Sequence, residues 1–404
     1  MISIQKIFKV LLFFYALNTF IGISEVSFLI AFFAVLVSIS KYGLKNVLNI
    51  IMFPLLLILV GLINSFSNPN VLVLKDIYYF INPILIFLFG FYFAHRYSLE
   101  KFIKYTIQLG IILSVLYLLS YSFNSNNSSI SELKDSVGVP SFIISLSLFL
   151  LAYHIKIKVK IFKNFNFYFL LLFIIIAIIS LSRTFILIII ILSIFSSGYI
   201  SFNRMKIKRG LVILLIFISC ISFLQNINNN DRKEFIGKVT SSIEEIQPQN
   251  YTTKIDINNH WRGFEAFIGL SQYVKGSPQE LLFGQGFGKS APLGFEMPLG
   301  DSSFTEIPKF HNGYVSVILK TGILGLLILF LFFIKRIRSS VKIQKSRLHE
   351  NKVKGQFSIG IILVIMFSTF VISGWLNQGT ITYFIFSLGF MSNYKSKLIY
   401  NANK

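Results

Sequence analysis

Lys309–Phe333 reads KFHNGYVSVILKTGILGLLILFLFF. After its histidine and asparagine it runs for more than twenty residues with Lys320 as the only charge. A helix rises about 1.5 Å per residue, so such a run covers the roughly 30 Å hydrocarbon core of a bilayer. The stretch reads as a membrane-spanning helix with His311 and Asn312 at its mouth. An imidazole and an amide at that depth need a reason, which has to come from the rest of the chain.

Similar apolar runs recur along most of the sequence, which is 54% hydrophobic and 13% charged. An ordinary soluble domain carries about 25% charged residues, and here the mean hydropathy is +0.71. In lipid every backbone polar group must be satisfied within the protein, which leaves helices or a closed barrel. The alternating strands of a barrel are scarce, so the expectation is an all-α polytopic membrane protein. Hydropathy gives about twelve spans, near Ile7–Ile23, Val26–Ser40, Val47–Ile63, Ile77–Ala94, Phe102–Tyr121, Pro140–His154, Phe165–Ser180, Thr184–Ile200, Gly210–Leu224, Asn312–Ile334, Phe357–Gly374 and Gly379–Ser392. Lys6–Ser24 has a basic start but is long enough to span and lacks a small-x-small exit, so it reads as the first span and not as a cleavable leader. The single cysteine, Cys220, has no intramolecular disulfide partner.

A net charge of +22 invites a nucleic-acid reading, but the distribution argues against it. Of the 38 lysines and arginines, 26 fall in alternate connections, from Lys6 and Lys9 through Lys335–Lys354 to the C-terminal tail, accompanied only by Glu100 and Glu350. Cations gathered on alternate connections mark the cytoplasmic face. Both termini therefore read as cytoplasmic, and no nucleic-acid partner is expected. The other face holds 14 of the 16 acidic residues and one long connection, Gln225–Phe310. The chain divides into residues 1–224 with nine spans, an outer (periplasmic) loop over 225–310 with short helices, and residues 311–404 with three spans and a cytoplasmic tail. Loops this long usually carry structure or function of their own. Asp231–Ile246 puts Phe235, Val239, Ile243 and Ile246 at helical spacing, as an amphipathic helix able to lie on a membrane. Asn258–Gly276 predicts a second helix, capped by Asn258 or Asn259, with Trp261, Phe264 and Ile268 on one face and Arg262 and Glu265 on another. Ser277–Pro308, rich in glycine and proline, reads as an irregular lid.

Several residues carry possible chemistry. Arg183 lies between two apolar runs, and an arginine at mid-bilayer costs at least about 2.5–3.5 kcal/mol. The span count places it at the outer interface, as a snorkelling anchor or as a grip for phosphate. Arg262, beside Trp261, is either a solvated arginine paired with Glu265 or a second anion grip. His311 is either a hydrogen-bonded structural residue or the side chain best matched to moving a proton at neutral pH. Asn312 either orients substrate or caps the helix. Phe283–Ser290, FGQGFGKS, fails the P-loop pattern because Phe283 stands where a glycine is required. It reads instead as a turn whose backbone approaches a ligand around Gly286, or as part of the lid. Lys320 falls on the opposite side of its helix from His311 at 100° per residue, as a phosphate ligand or a snorkelling residue. No set of His, Cys or carboxylate residues has metal-ligand spacing, so the expected chemistry uses neither metal nor cofactor.

In order, SLSRT at Ser180–Thr184, HWRGFEAF at His260–Phe267, LLFGQGFG at Leu281–Gly288 and HNGYVSVILKTGILGLL at His311–Leu327 resemble the O-antigen ligase/polymerase family of bacterial polysaccharide assembly. The resemblance covers Ser180–Leu327, and the earlier spans match only in number and hydrophobicity. It implies a metal-independent glycosyltransferase with a GT-C-like helical fold in the bacterial cytoplasmic (inner) membrane, acting on its outer face. The implied donor is an undecaprenyl-pyrophosphate-linked oligosaccharide. Arg183 and Arg262 fall where the family binds pyrophosphate, and His311 falls on its proposed base. Trp261, Asn312, Gly286 and Lys320 are the candidate substrate contacts around them. Lys320 departs from the pattern, since relatives commonly carry an acid there.

Beyond membrane lipid, the implied partners are a chain-length regulator and a flippase. Two activities fit: a polymerase that extends lipid-linked repeat units, or a ligase that passes the glycan to lipid A core or another surface acceptor. A transporter or flippase of lipid-linked glycans is the reading from another class. Against it, the spans are nearly free of charge and the polar residues gather in one outer loop.

Overall fold

The computed structural model describes residues 4–21, 23–43, 45–67, 70–124, 141–157, 166–180, 183–196, 257, 260–299, 302–346, 348–379 and 381–393. The helices are α1 (Ile4–Ile21), α2 (Ser24–Tyr42), α3 (Lys45–Ile63), α4 (Val71–Phe93), α5 (Leu99–Asn124), α6 (Ser141–Ile157), α7 (Asn166–Ser180) and α8 (Arg183–Ile191). They are followed by α9 (Trp261–Val274), α10 (Pro278–Phe283), α11 (Gly313–Gln344), α12 (His349–Ile372) and α13 (Thr382–Ser392). One antiparallel hairpin, β1 (Ala291–Leu299) and β2 (Ser302–Ile307), stands between α10 and α11.

Each expected span overlaps one of these helices except Gly210–Leu224, which lies outside the described residues together with the amphipathic segment Asp231–Ile246; α8 covers only the first part of Thr184–Ile200, whose residues 197–200 also lie outside. Among the described residues, Val71–Phe93, Leu99–Ser120, Gly313–Gln344 and His349–Ile372 are long and apolar enough to cross a membrane, with shorter apolar helices beside them. Phe14, Phe33 and Leu59 on α1–α3 are more than half exposed, at 53%, 57% and 59%. Large apolar side chains exposed in this way suit lipid and not water. The architecture is that of an all-α, multi-pass membrane protein.

The bundle is tied at its centre by the crossing of α4 and α13. A Cβ on Gly90 would lie 1.8 Å from the Phe386 carbonyl oxygen, and one on Gly389 would lie 1.9 Å from that of Phe87. Only small residues allow helix backbones to approach so closely. Around the crossing pack the buried rings of Tyr15, Phe89, Phe93, Phe386 and Phe390.

The two ends of the bundle differ in charge. At one end Arg96 sits 3.8 Å over the Phe8 ring, Lys9 lies 5.4 Å from the Tyr105 ring, and Lys335 Nζ donates to the Asn49 carbonyl at 3.3 Å. The last turns of α11, with Arg336, Arg338 and Lys342, lie at this end too. The other end collects the last turn of α3, the first turns of α4 and α11, the end of α12, and α9, α10 and the hairpin.

At that second end α11 is broken. Gly322 has φ 65° and ψ −172°, outside helical geometry. The carbonyls of Leu319 and Lys320 instead accept from the amides of Gln285 (2.8 Å) and Gly286 (3.2 Å). The Tyr273 hydroxyl donates to the Leu281 carbonyl at 2.6 Å. A break inside an apolar helix is tolerated when neighbouring groups satisfy the freed backbone, as they do here. Gly284 (φ 82°) faces Gly322 across this seam, and a Cβ on either would stand 2.3 Å from the other segment's backbone. The glycines of the FGQGFG turn therefore seat it in the gap of α11.

This corrects the expectation of an irregular lid over Ser277–Pro308. A capping box, Ser277 with Glu280, starts α10. The buried turn follows, with the Phe287 amide donating to the Gly61 carbonyl (3.1 Å) and to Ser65 Oγ (2.7 Å). In the hairpin Ala291 pairs with Ile307 and Leu299 with Ser302 across a register shift between Pro292 and Met297.

Candidate functional site

α9 lies along the first turns of α11. Trp261, Phe264 and Ile268 pack with Ala291, Leu293 and Phe295 of the hairpin and with Phe310, Val315 and Leu319 in a second apolar cluster. The expected apolar face of Trp261, Phe264 and Ile268 is thus observed, but Glu265, expected with Arg262 on another face, is buried; His260 takes the N-cap position, and Asn258 and Asn259 lie outside the described residues. Gly269 permits the close approach, since a Cβ there would stand 2.5 Å from Val315.

Glu265 lies on the buried side of α9, its side chain 5% exposed. It is a partner of His311: Oε2 accepts from the His311 backbone amide at 3.0 Å and lies 2.7 Å from His311 Nδ1. The His311 side chain is 48% exposed. It borders a groove of about 640 Å³ lined along α9 by Arg262, Ala266, Phe267, Leu270 and Val274, at the mouth of α11 by Asn312 and Val315, and at the end of α12 by Phe370 and Val371. Ligand pockets commonly span about 300–1,000 Å³, mostly apolar with a few placed polar groups, and this groove has that character.

The loop carrying His311 is fixed on its other side. The His311 carbonyl accepts from the Ser373 amide, and Ser373 Oγ donates to the Phe310 carbonyl at 2.9 Å. Ser373 adopts φ 62°, a left-handed conformation unusual for a residue other than glycine. Phe310 N donates to Ser316 Oγ at 3.1 Å. Lys309 turns inward, donating to the Leu376 carbonyl at 3.1 Å and standing 4.2 Å from the Tyr79 ring centroid. Burial pushes its ammonium down to about 8, against the pull of Asp76.

Arg262 and His311 therefore share one groove, and Asn312 joins them mainly as a cap, its Oδ1 accepting from the amides of Tyr314 (3.0 Å) and Val315 (3.4 Å). Trp261 packs against Phe264, the rings 5.8 Å apart. Two expected substrate contacts lie elsewhere. Lys320, 1% exposed, gives its ammonium to Asp76 Oδ2, which also accepts from the Gly288 amide at 2.7 Å. Gly286 directs its amide to Lys320 O and packs on Asn64 and Ser65. Both belong to the seam of α11, because burying a lysine requires a partner and freed carbonyls require donors. Arg183 opens α8, and its side chain lies outside what the structure describes. Among the described residues no three His, Cys, Asp or Glu side chains group as a metal site.

Sequence reasoning paired Glu265 with Arg262 and left Asp76 outside its span. A signal existed for both. Glu265 follows Trp261 and precedes Ile268 on a stripe that must be buried, and a carboxylate there needs a donor. Asp76 stands in the apolar run VLVLKDIYYF, whose helix begins earlier than hydropathy marks it, at Asn70, which caps Val73. Comparison of the chain with models of known protein families returns no match, and comparison with curated proteins returns none either.

Proposed function

We propose that the protein is a membrane-embedded glycosyltransferase whose reaction takes place in the groove between α9, α11 and α12. More particularly, we read it as a surface-polysaccharide polymerase of the kind its motifs resemble, transferring a glycan from undecaprenyl pyrophosphate to the next lipid-linked repeat unit. The observation that carries the reading is His311, held by buried Glu265 and opening into an apolar groove that Arg262 also lines. A lipid-linked pyrophosphate donor needs an apolar channel for the lipid, a cation for the phosphates and a base for the incoming hydroxyl.

In this reading the acceptor hydroxyl gives its proton to His311 as its oxygen bonds to the anomeric carbon. The bond from that carbon to the pyrophosphate oxygen breaks, and Arg262, with Arg183, stabilises the charge that develops on the leaving group. A single in-line displacement inverts the anomeric configuration. The collection of Lys and Arg at the far end of the bundle supports a cytoplasmic far end and an outer groove. The full topology we propose has about twelve spans, both termini in the cytoplasm and the loop before α11 outside.

The test is glycan length on gels from cells lacking the gene and complemented with wild type, Arg183→Ala, Arg262→Ala or His311→Ala, each checked for expression. A ladder with wild type and a single repeat unit with each variant supports the reading. Polymer held on the lipid carrier and never delivered indicates a ligase. Lipid-linked substrate moved across vesicles without extension indicates a transporter, and variants equal to wild type overturn the site.

A further inference from the structure

We infer that Glu265 is a positioning residue that holds the proton of His311 on Nδ1, leaving Nε2 as the ring atom that accepts the proton of the incoming hydroxyl. The inference rests on the reading of His311 as the base. Its ground is geometric. One carboxylate oxygen, Oε2, meets both the backbone amide of His311 at 3.0 Å and the ring Nδ1 at 2.7 Å. The oxygen accepts in both contacts, so Nδ1 carries the hydrogen and the ring is held at two points. Glu265 cannot follow a swinging imidazole, because it is 4% exposed and its helix is fastened to the hairpin and α11 through Phe264 and Ile268. Ser373 grips the other side of the His311 backbone. A carboxylate that fixes a histidine tautomer is a recurrent way to orient a base.

The arrangement has a second consequence. Arg262 stands one helical turn before Glu265, so one rigid helix carries both the cation facing the groove and the group that aims the base. α9 thereby ties the Arg262 grip on the leaving group to the aim of the base.

The experiment uses full-length protein in lipid with nitrogen-15 histidine labelling, the His311 signals assigned by their loss in His311→Ala. The expected result is an Nδ1–H ring in wild type and in Glu265→Gln, whose amide oxygen still accepts, and reversion to Nε2–H in Glu265→Ala. Repeat-unit extension should fall about a hundredfold or more in kcat with KM little changed in Glu265→Ala, and Glu265→Gln, which keeps the tautomer, should retain most of it. An Nε2–H ring in wild type overturns the inference whatever the activity. A tautomer lost in Glu265→Ala with kcat kept overturns it as well, leaving Glu265 a purely structural residue. If wild type extends nothing, the glycosyltransferase reading fails separately, and the ring signals still decide whether Glu265 fixes the tautomer. Glu265→Gln, nearly isosteric, guards against a variant that simply fails to fold.

Discussion

Asp76 and Lys320 should be worth far more together than either is alone. Both are almost fully buried, and their contact joins α4 to α11 across 244 residues of sequence. Removing one member of a buried pair costs about 3–5 kcal/mol, because the other charge stays behind without compensation. Lys320→Met leaves the Gly288 amide as the one remaining hydrogen-bond donor to Asp76 among the described residues, so it belongs near the upper value. Asp76→Asn keeps an oxygen for Gly288 but strands an ammonium beside the broken turn of α11, at about 3 kcal/mol. The double variant Asp76→Asn/Lys320→Met has no charge left to solvate and retains the Gly288 hydrogen bond. It should recover most of the loss, ending within about 1–2 kcal/mol of wild type. The coupling in a double-mutant cycle is then several kcal/mol, above the roughly 0.5–3 kcal/mol common for neighbouring residues. Reversible unfolding in mixed micelles titrated with denaturing detergent measures all four proteins. Single variants within about 1 kcal/mol of wild type, or losses that simply add, would refute the reasoning.

Gly322→Ala forces a Cβ into a left-handed backbone and against the Leu282 carbonyl; it should destabilise by at least about 1–3 kcal/mol and release α10 to protease. At Ser373, with φ 62° and an Oγ bonded to Phe310, Gly relieves strain that Ala retains, so Ser373→Gly should unfold later than Ser373→Ala by about 1 kcal/mol. Lys309 gives a pH signature: its folded value, about 8, lies below the ordinary 10.5. Between these values the unfolded chain binds more protons, so stability should rise with pH across that window and the rise should shrink in Lys309→Met.

The helices were legible because an apolar run long enough to span lipid has few other uses, and the apolar face of α9 was legible because Trp261, Phe264 and Ile268 recur at helical spacing. The hairpin was hidden by its own composition. Pro292, Gly294 and Pro298 read as breaks, yet Ala291, Leu293, Phe295 and Met297 alternate as one inward face, and prolines are accepted at strand edges. The 100° rule placed Lys320 away from His311, but it carries no information about Asp76. The glycine turn read as a loop since its purpose exists only against α11, whose break at Gly322 has no proline to announce it. Glu265 was hidden in the same way: its partner is distant in sequence, and an arginine three residues away offered a plausible local one.

The break in α11 bears on the site as well as on the fold. An unbroken helix from Gly313 to Gln344 would carry the orientation of its whole membrane span up to His311. With the backbone turned at Gly322, the segment Gly313–Thr321 is a short helix of its own, moored by Asp76 to α4, by the Gln285 and Gly286 amides to the glycine turn, and by Val315 and Leu319 to α9. One of those moorings, α9, is the element that carries Arg262 and Glu265. The groove residues therefore belong to one local unit, whose geometry depends on buried polar contacts and small residues at the seam more than on the packing of the long spans. Substitutions on the lipid side of α11 should for that reason leave the His311–Glu265 contact intact, while a single Cβ at Gly284, which does not line the groove, should disturb it.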